Sequence, residues 1–124
     1  MIKYQARVTG IGPLVKEFIE AGILVFFGEG APPELAEFSI LHDGKKPKAN
    51  VTSGDTIYID DNTYKVLAVG EVANTNFANL GHLIIKFNGK TKVELPGDVC
   101  VEAKPVPQIK PGTLLKIVGD EVET

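Results

Sequence analysis

The chain has two histidines, His42 and His82, and each stands at a strand-like end beside a glycine. His42 closes Phe38-Ser39-Ile40-Leu41 and opens onto Asp43-Gly44-Lys45-Lys46. His82 follows Leu80-Gly81 and opens Leu83-Ile84-Ile85. An imidazole with an ordinary pKa of about 6.5 keeps a lone pair and can attack phosphorus without a separate base. Phosphoryl transfer then asks mainly for positioning and for donors to the phosphoryl oxygens. A histidine at a strand end before a glycine-containing loop is expected to face solvent, where a donor can reach it. The backbone N–H groups of Asp43 and Gly44 and the ammonium groups of Lys45, Lys46 and Lys48 lie within sequence reach as phosphate-binding groups. His82 is expected beside His42 across neighbouring strands, hydrogen-bonding the phosphate.

A plainer reading stands next to each of these. A strand-end histidine is more often a satisfied structural residue than a nucleophile, and a lysine cluster is by default a solvated loop. Asp43 follows His42 directly, so its side chain is expected on the opposite face, and its charge would repel an incoming phosphate. Cys100 sits between Val99 and Val101 and reads as an ordinary small side chain; a lone cysteine forms no internal disulfide. Two histidines and one cysteine show no metal-ligand spacing, and Gly28-Glu29-Gly30 lacks the strand, helix and lysine of a nucleotide loop. No cofactor is called for.

The elements that must position these groups are short. Residues 2–9 alternate and read as a strand. Gly12-Pro13 opens a helix whose apolar face is Leu14, Val15, Phe18 and Ile19, ended by Gly22. Residues 23–27 read as a buried strand and residues 37–42 as another, with a helical turn near 34–37. Residues 43–54 read as an exposed loop. Strands at 56–59 and 63–69 flank Asp60-Asp61-Asn62, a hairpin signal. Residues 71–80 are turn-rich and have room for a helical turn. Residues 82–87 and 91–95 flank Asn88-Gly89, which predicts a second hairpin. Strands at 98–102 and 113–118 follow, separated by a proline-rich connection, and the acidic tail is expected to fray. Eight or nine short strands with one clear helix predict an all-β fold, a closed or partly open antiparallel β-barrel, as a single domain over residues 1–124.

Composition narrows the classes. The chain has 124 residues, 44% of them apolar, and a net charge of −3. With no basic stripe interleaved with aromatics, nucleic acid is not expected as a partner. The longest apolar run, residues 22–28, is far short of the roughly 20 residues that span a bilayer, so the protein is not expected to insert in a membrane. The N-terminus has no secretory pattern, which points to the cytoplasm. A long apolar strand left at a sheet edge would favour a homodimer.

Four stretches, GEGAPPELAEFSILH at 28–42, VLAVGEVANTNFANLGHLIIKFNG at 66–89, ELPGDVCVE at 94–102 and PVPQIKPGTLLK at 105–116, resemble the glucitol/sorbitol-specific enzyme IIA components of the bacterial sugar phosphotransferase system. The resemblance covers nearly the whole chain. It implies a cytoplasmic phosphocarrier that takes a phosphoryl group on a histidine from the histidine-containing phosphocarrier protein. Such a protein passes the group to a cysteine of the IIB component of a hexitol permease. By the position of the motif, the implied acceptor is His42. The family pattern can carry further histidines near the acceptor, where this chain has Asp43-Gly44. The partner surface is expected to have an apolar centre from Phe38, Ile40 or Phe77 and a rim of Glu29, Glu34 and Glu37. The rival reading is a non-catalytic β-barrel binding module with structural histidines, since the all-β pattern carries no function by itself.

Overall fold

In a computed structural model, residues 1–119 are described. The chain runs β1 (Ile2–Ile11), α1 (Val15–Glu20), β2 (Ile23–Gly28), α2 (Pro33–Ala36), β3 (Ile40–His42), β4 (Thr56–Ile59), β5 (Asn62–Val69), α3 (Ala73–Leu80), β6 (Leu83–Lys86), β7 (Asp98–Val101) and β8 (Leu114–Val118). The strands close into a barrel in the order β1-β3-β2-β6-β7-β5-β4-β8. The acidic tail lies outside the described residues.

Alternation along the strands turns one face inward. Tyr4, Ala6 and Val8 of β1, Ile57 and Ile59 of β4, and Leu115 and Ile117 of β8 are all buried, as period-two patterning requires. β2 differs, because Leu24 to Phe27 are buried in succession. Its outer face is covered by α1, so both faces are apolar, as the continuous run predicts. Fully burying such a side chain stabilises the fold by roughly 1.5–3 kcal/mol. Phe77 of α3 belongs to the same core and stacks on Tyr4 with ring centroids 4.4 Å apart.

The expected all-β barrel forms, but not with wholly antiparallel strands. β2 pairs with β3, and β6 with β7, in parallel. Parallel neighbours need crossover connections, and residues 29–39 and 87–97 supply them. That arrangement removes the predicted Asn88-Gly89 hairpin. Both edges of β6 are already taken, by β2 and β7, so residues 91–95 have no strand to join. They lie instead over β7, where the Lys92 carbonyl comes within 4.0 Å of the Cys100 Sγ and helps bury that side chain. The Asp60-Asp61 turn between β4 and β5 does form, with Asp60 at φ 53°. Among the described residues the one clear helix expected is joined by two more, α2 and α3, which form where helical turns were expected near 34–37 and within 71–80. α3 takes residues 73–80 because Ala73 and Phe77, four apart, bury one apolar stripe. Closure also removes the premise for an edge-paired dimer, since each strand has two neighbours.

Candidate functional site

The site lies at one end of the barrel, where β3 stops and α3 packs across. Ile40 and His42 are two residues apart and share the inward face of β3, so the imidazole points into the barrel. It is fully buried. This corrects the expectation of a solvent-facing ring: the strand continues inward past Ile40, and α3 and the following glycine close over the end. The ring packs edge-on to Tyr4 at 5.8 Å and near Phe26 at 6.3 Å.

Both ring nitrogens are engaged. Nε2 lies 2.8 Å from the Gly81 carbonyl, which can only accept, so Nε2 carries the proton. The Gly44 N–H donates to Nδ1 at 3.1 Å, so Nδ1 carries the lone pair. The Tyr4 hydroxyl lies 3.4 Å from the same nitrogen. One neutral tautomer is thereby fixed. Burial pushes the pKa of His42 below its ordinary value, opposed by the Gly81 hydrogen bond and by the Asp43 and Glu29 carboxylates. The ring is held uncharged with a defined lone pair, the state a nucleophile at phosphorus requires.

Two backbone features make this geometry. Gly28 pairs with His42 across β2 and β3, and a Cβ there would stand 3.0 Å from the Leu80 carbonyl oxygen, so the glycine lets the end of α3 come close to β2. Gly81 caps α3 at φ 65°, a left-handed conformation that turns its carbonyl onto the ring. A Cβ there would stand 2.9 Å from Cε1 and 3.0 Å from Nε2 of His42.

The structure does not bring the two histidines together. β2 lies between β3 and β6, and the rings occupy opposite faces of it: His42 is near Phe26, while His82 packs edge-on against Phe27 at 4.9 Å. His82 is half-buried, and burial lowers its pKa. The N–H groups expected to bind phosphate are occupied, Asp43 by the Arg7 carbonyl at 3.1 Å and Gly44 by the imidazole. The Asp43 side chain accepts from the Arg7 N–H at 2.8 Å. Lys45, Lys46 and Lys48 are exposed and line a cavity of about 460 Å³ together with Lys3, Tyr4 and Gly44. Of the residues expected to centre a partner surface, Ile40 and Phe77 are buried and Phe38 is half-buried against Phe18. Leu80, next to Gly81, is exposed instead. Tyr4 and Gly81 are the site residues that sequence reasoning missed. Their signals were a tyrosine at an inward strand position, whose hydroxyl needs a partner, and a glycine directly after a helix.

The family model for the PTS system glucitol/sorbitol-specific IIA component matches residues 3–116. The chain belongs to this family. It is 38% identical over 114 residues to the PTS system glucitol/sorbitol-specific EIIA components of Escherichia coli K12 and Shigella flexneri, covering 91% of this chain and 92% of each relative. A crystal structure of a PTS system IIA component from Enterococcus faecalis V583 superposes with a TM-score of 0.85 at 25% identity, over 93% of this chain and 99% of that one. As a glucitol/sorbitol IIA component, the protein is part of the phosphotransferase system, and the barrel is that of the family. Among the described residues no helix is long and apolar enough to cross a membrane.

Proposed function

We propose that this IIA component accepts a phosphoryl group on His42 from the histidine-containing phosphocarrier protein and hands it to a cysteine of the IIB component, serving glucitol/sorbitol uptake from the cytoplasmic side. The observation that carries the reading is a neutral imidazole held at both nitrogens within a chain of this family. The lone pair attacks phosphorus, the bond from phosphorus to the donor nitrogen breaks, and the ring keeps its single proton on the other nitrogen. Because the ring is sealed, transfer requires one covering element to withdraw, either the Gly81 cap or the loop that begins at Asp43. Lys45, Lys46 and Lys48 then neutralise the arriving oxygens.

A second reading has one observation in its favour: His82 is the more accessible imidazole. Incubation with phosphoenolpyruvate, enzyme I and the phosphocarrier, followed by intact mass, separates the two. The wild-type chain gains one acid-labile phosphoryl group, His42→Ala gains none, and His82→Ala still gains one. Phosphate retained by His42→Ala and lost from His82→Ala reverses the assignment, and no phosphate on the wild-type chain leaves the binding-module reading.

A further inference from the structure

The cavity beside the lysine loop and the buried imidazole share two wall residues, Tyr4 and Gly44, and these are the two groups at Nδ1. Their chemistry differs. The Gly44 N–H can only donate, so it serves a ring whose Nδ1 is bare. A hydroxyl can donate to a bare nitrogen and, by rotating, accept from a protonated one. No other side-chain or backbone group is hydrogen-bonded to Nδ1 among the described residues.

We infer that Tyr4 is a positioning residue for phosphoryl transfer at His42, its hydroxyl being the one side-chain partner of Nδ1 and the one partner there free to rotate between donating and accepting. The inference rests on His42 being the acceptor. As the lone pair forms the new bond to phosphorus, the donor imidazole keeps the electron pair of the bond that breaks. The His42 ring then holds phosphorus on one nitrogen and a proton on the other, with positive charge spread over both. With the proton held on Nε2, phosphorus bonds to Nδ1, and the Tyr4 hydroxyl, which donates to the bare nitrogen before transfer, rotates to donate to a phosphoryl oxygen after it.

The surroundings fit that role. Tyr4 is almost wholly buried, and burial together with the Asp43 carboxylate pushes its pKa up to about 12, so the hydroxyl stays protonated and uncharged. Its ring packs against both Phe77 and His42. A Cβ at position 44 would collide with the hydroxyl, so the glycine keeps the space the hydroxyl occupies. The charged groups facing His42 are the Asp43 and Glu29 carboxylates, which stay in place when the hydroxyl is removed.

The test is Tyr4→Phe, which deletes one oxygen and keeps the ring. Single-turnover transfer from the phosphorylated phosphocarrier is measured across donor concentrations, and the His42 ring is titrated by NMR. The rate at saturating donor is expected to fall about tenfold or more, with the half-saturating donor concentration unchanged. The His42 midpoint is expected to fall by roughly half to one pH unit, because the charged ring loses its acceptor. Tyr64→Phe is the control: that hydroxyl bonds the Pro105 carbonyl in another part of the barrel, and its loss should move neither readout. Should Tyr4→Phe fail to fold, 3-fluorotyrosine at position 4, a weaker acceptor of nearly the same shape, must lower the midpoint in the same direction. Wild-type transfer rate with an unmoved midpoint overturns the inference, and so does an equal effect from Tyr64→Phe. A wild-type chain that takes no phosphoryl group on His42 overturns the functional reading and this role with it.

Discussion

At the scale of single residues, Gly81 sets the site as firmly as His42 does. Its carbonyl fixes the imidazole proton, and its positive φ is what aims that carbonyl. Gly81→Ala brings two penalties: a left-handed backbone for a residue with a Cβ, about 1–2 kcal/mol, and a Cβ pressed onto the ring. The expected result is a loss of about 2 kcal/mol or more in urea unfolding, together with a displaced His42 ring in NMR spectra. Stability equal to wild type would mean that the cap is not held as described. The inward aim of His42 was legible beforehand, since Ile40 is apolar and two residues earlier on the same strand, so both had to share a face. The glycine loop that follows drew the reading outward. The contact with Gly81 was not legible, because nothing in the spacing shows that a residue 39 positions away caps the same barrel end.

At the scale of elements, the loop from β3 to β4 is held by a buried ion pair rather than left free. Lys3 of β1 bonds both Asp55 oxygens, at 2.8 and 3.0 Å, and also the Asn50 carbonyl. Asp55 in turn accepts from the Thr52 N–H. Removing one partner leaves the other charge buried. Asp55→Ala should therefore cost about 3–5 kcal/mol, while Lys3→Met with Asp55→Leu should recover much of that loss. Chemical denaturation of the three variants checks this, and an additive double variant would show that the pair is not coupled. Residues 43–54 form the exposed loop that their lysine, proline and asparagine predict, with Val51 alone buried. What local composition does not show is that a lysine of the first strand is buried beneath the far end of that loop. Local signals did better where the partner is adjacent in sequence: β4 and β5 pair through the turn expected of them. The Asn88-Gly89 hairpin failed because strand pairing is decided by which edges are free, and that depends on the whole barrel order.

At the scale of the molecule, sealing His42 at the barrel end and half-burying His82 against Phe27 ties stability to pH. Burial lowers the pKa of both His42 and His82 in the folded chain, while in the unfolded chain they titrate near 6.5. Above that value both states are neutral and the histidines impose no penalty. As pH falls below it, the unfolded chain binds protons first and is favoured, so stability drops until the folded values are reached. Each histidine contributes a slope of at most about 1.4 kcal/mol per pH unit within its window. Carboxylates act lower down. The pKa values of Glu94 and Glu102 are held below the ordinary 4.5, by Lys90 and by the Lys65 backbone N–H respectively, so their stabilisation is lost only as pH falls through that more acidic range. Unfolding free energies measured from about pH 7.5 down to about 5.5 should therefore decline, with both histidines contributing to the slope. His42→Gln should remove its share of that decline, whatever it does to the absolute stability, and His82→Gln should flatten the slope further. A slope left unchanged by His42→Gln would show that the barrel end does not hold His42 uncharged.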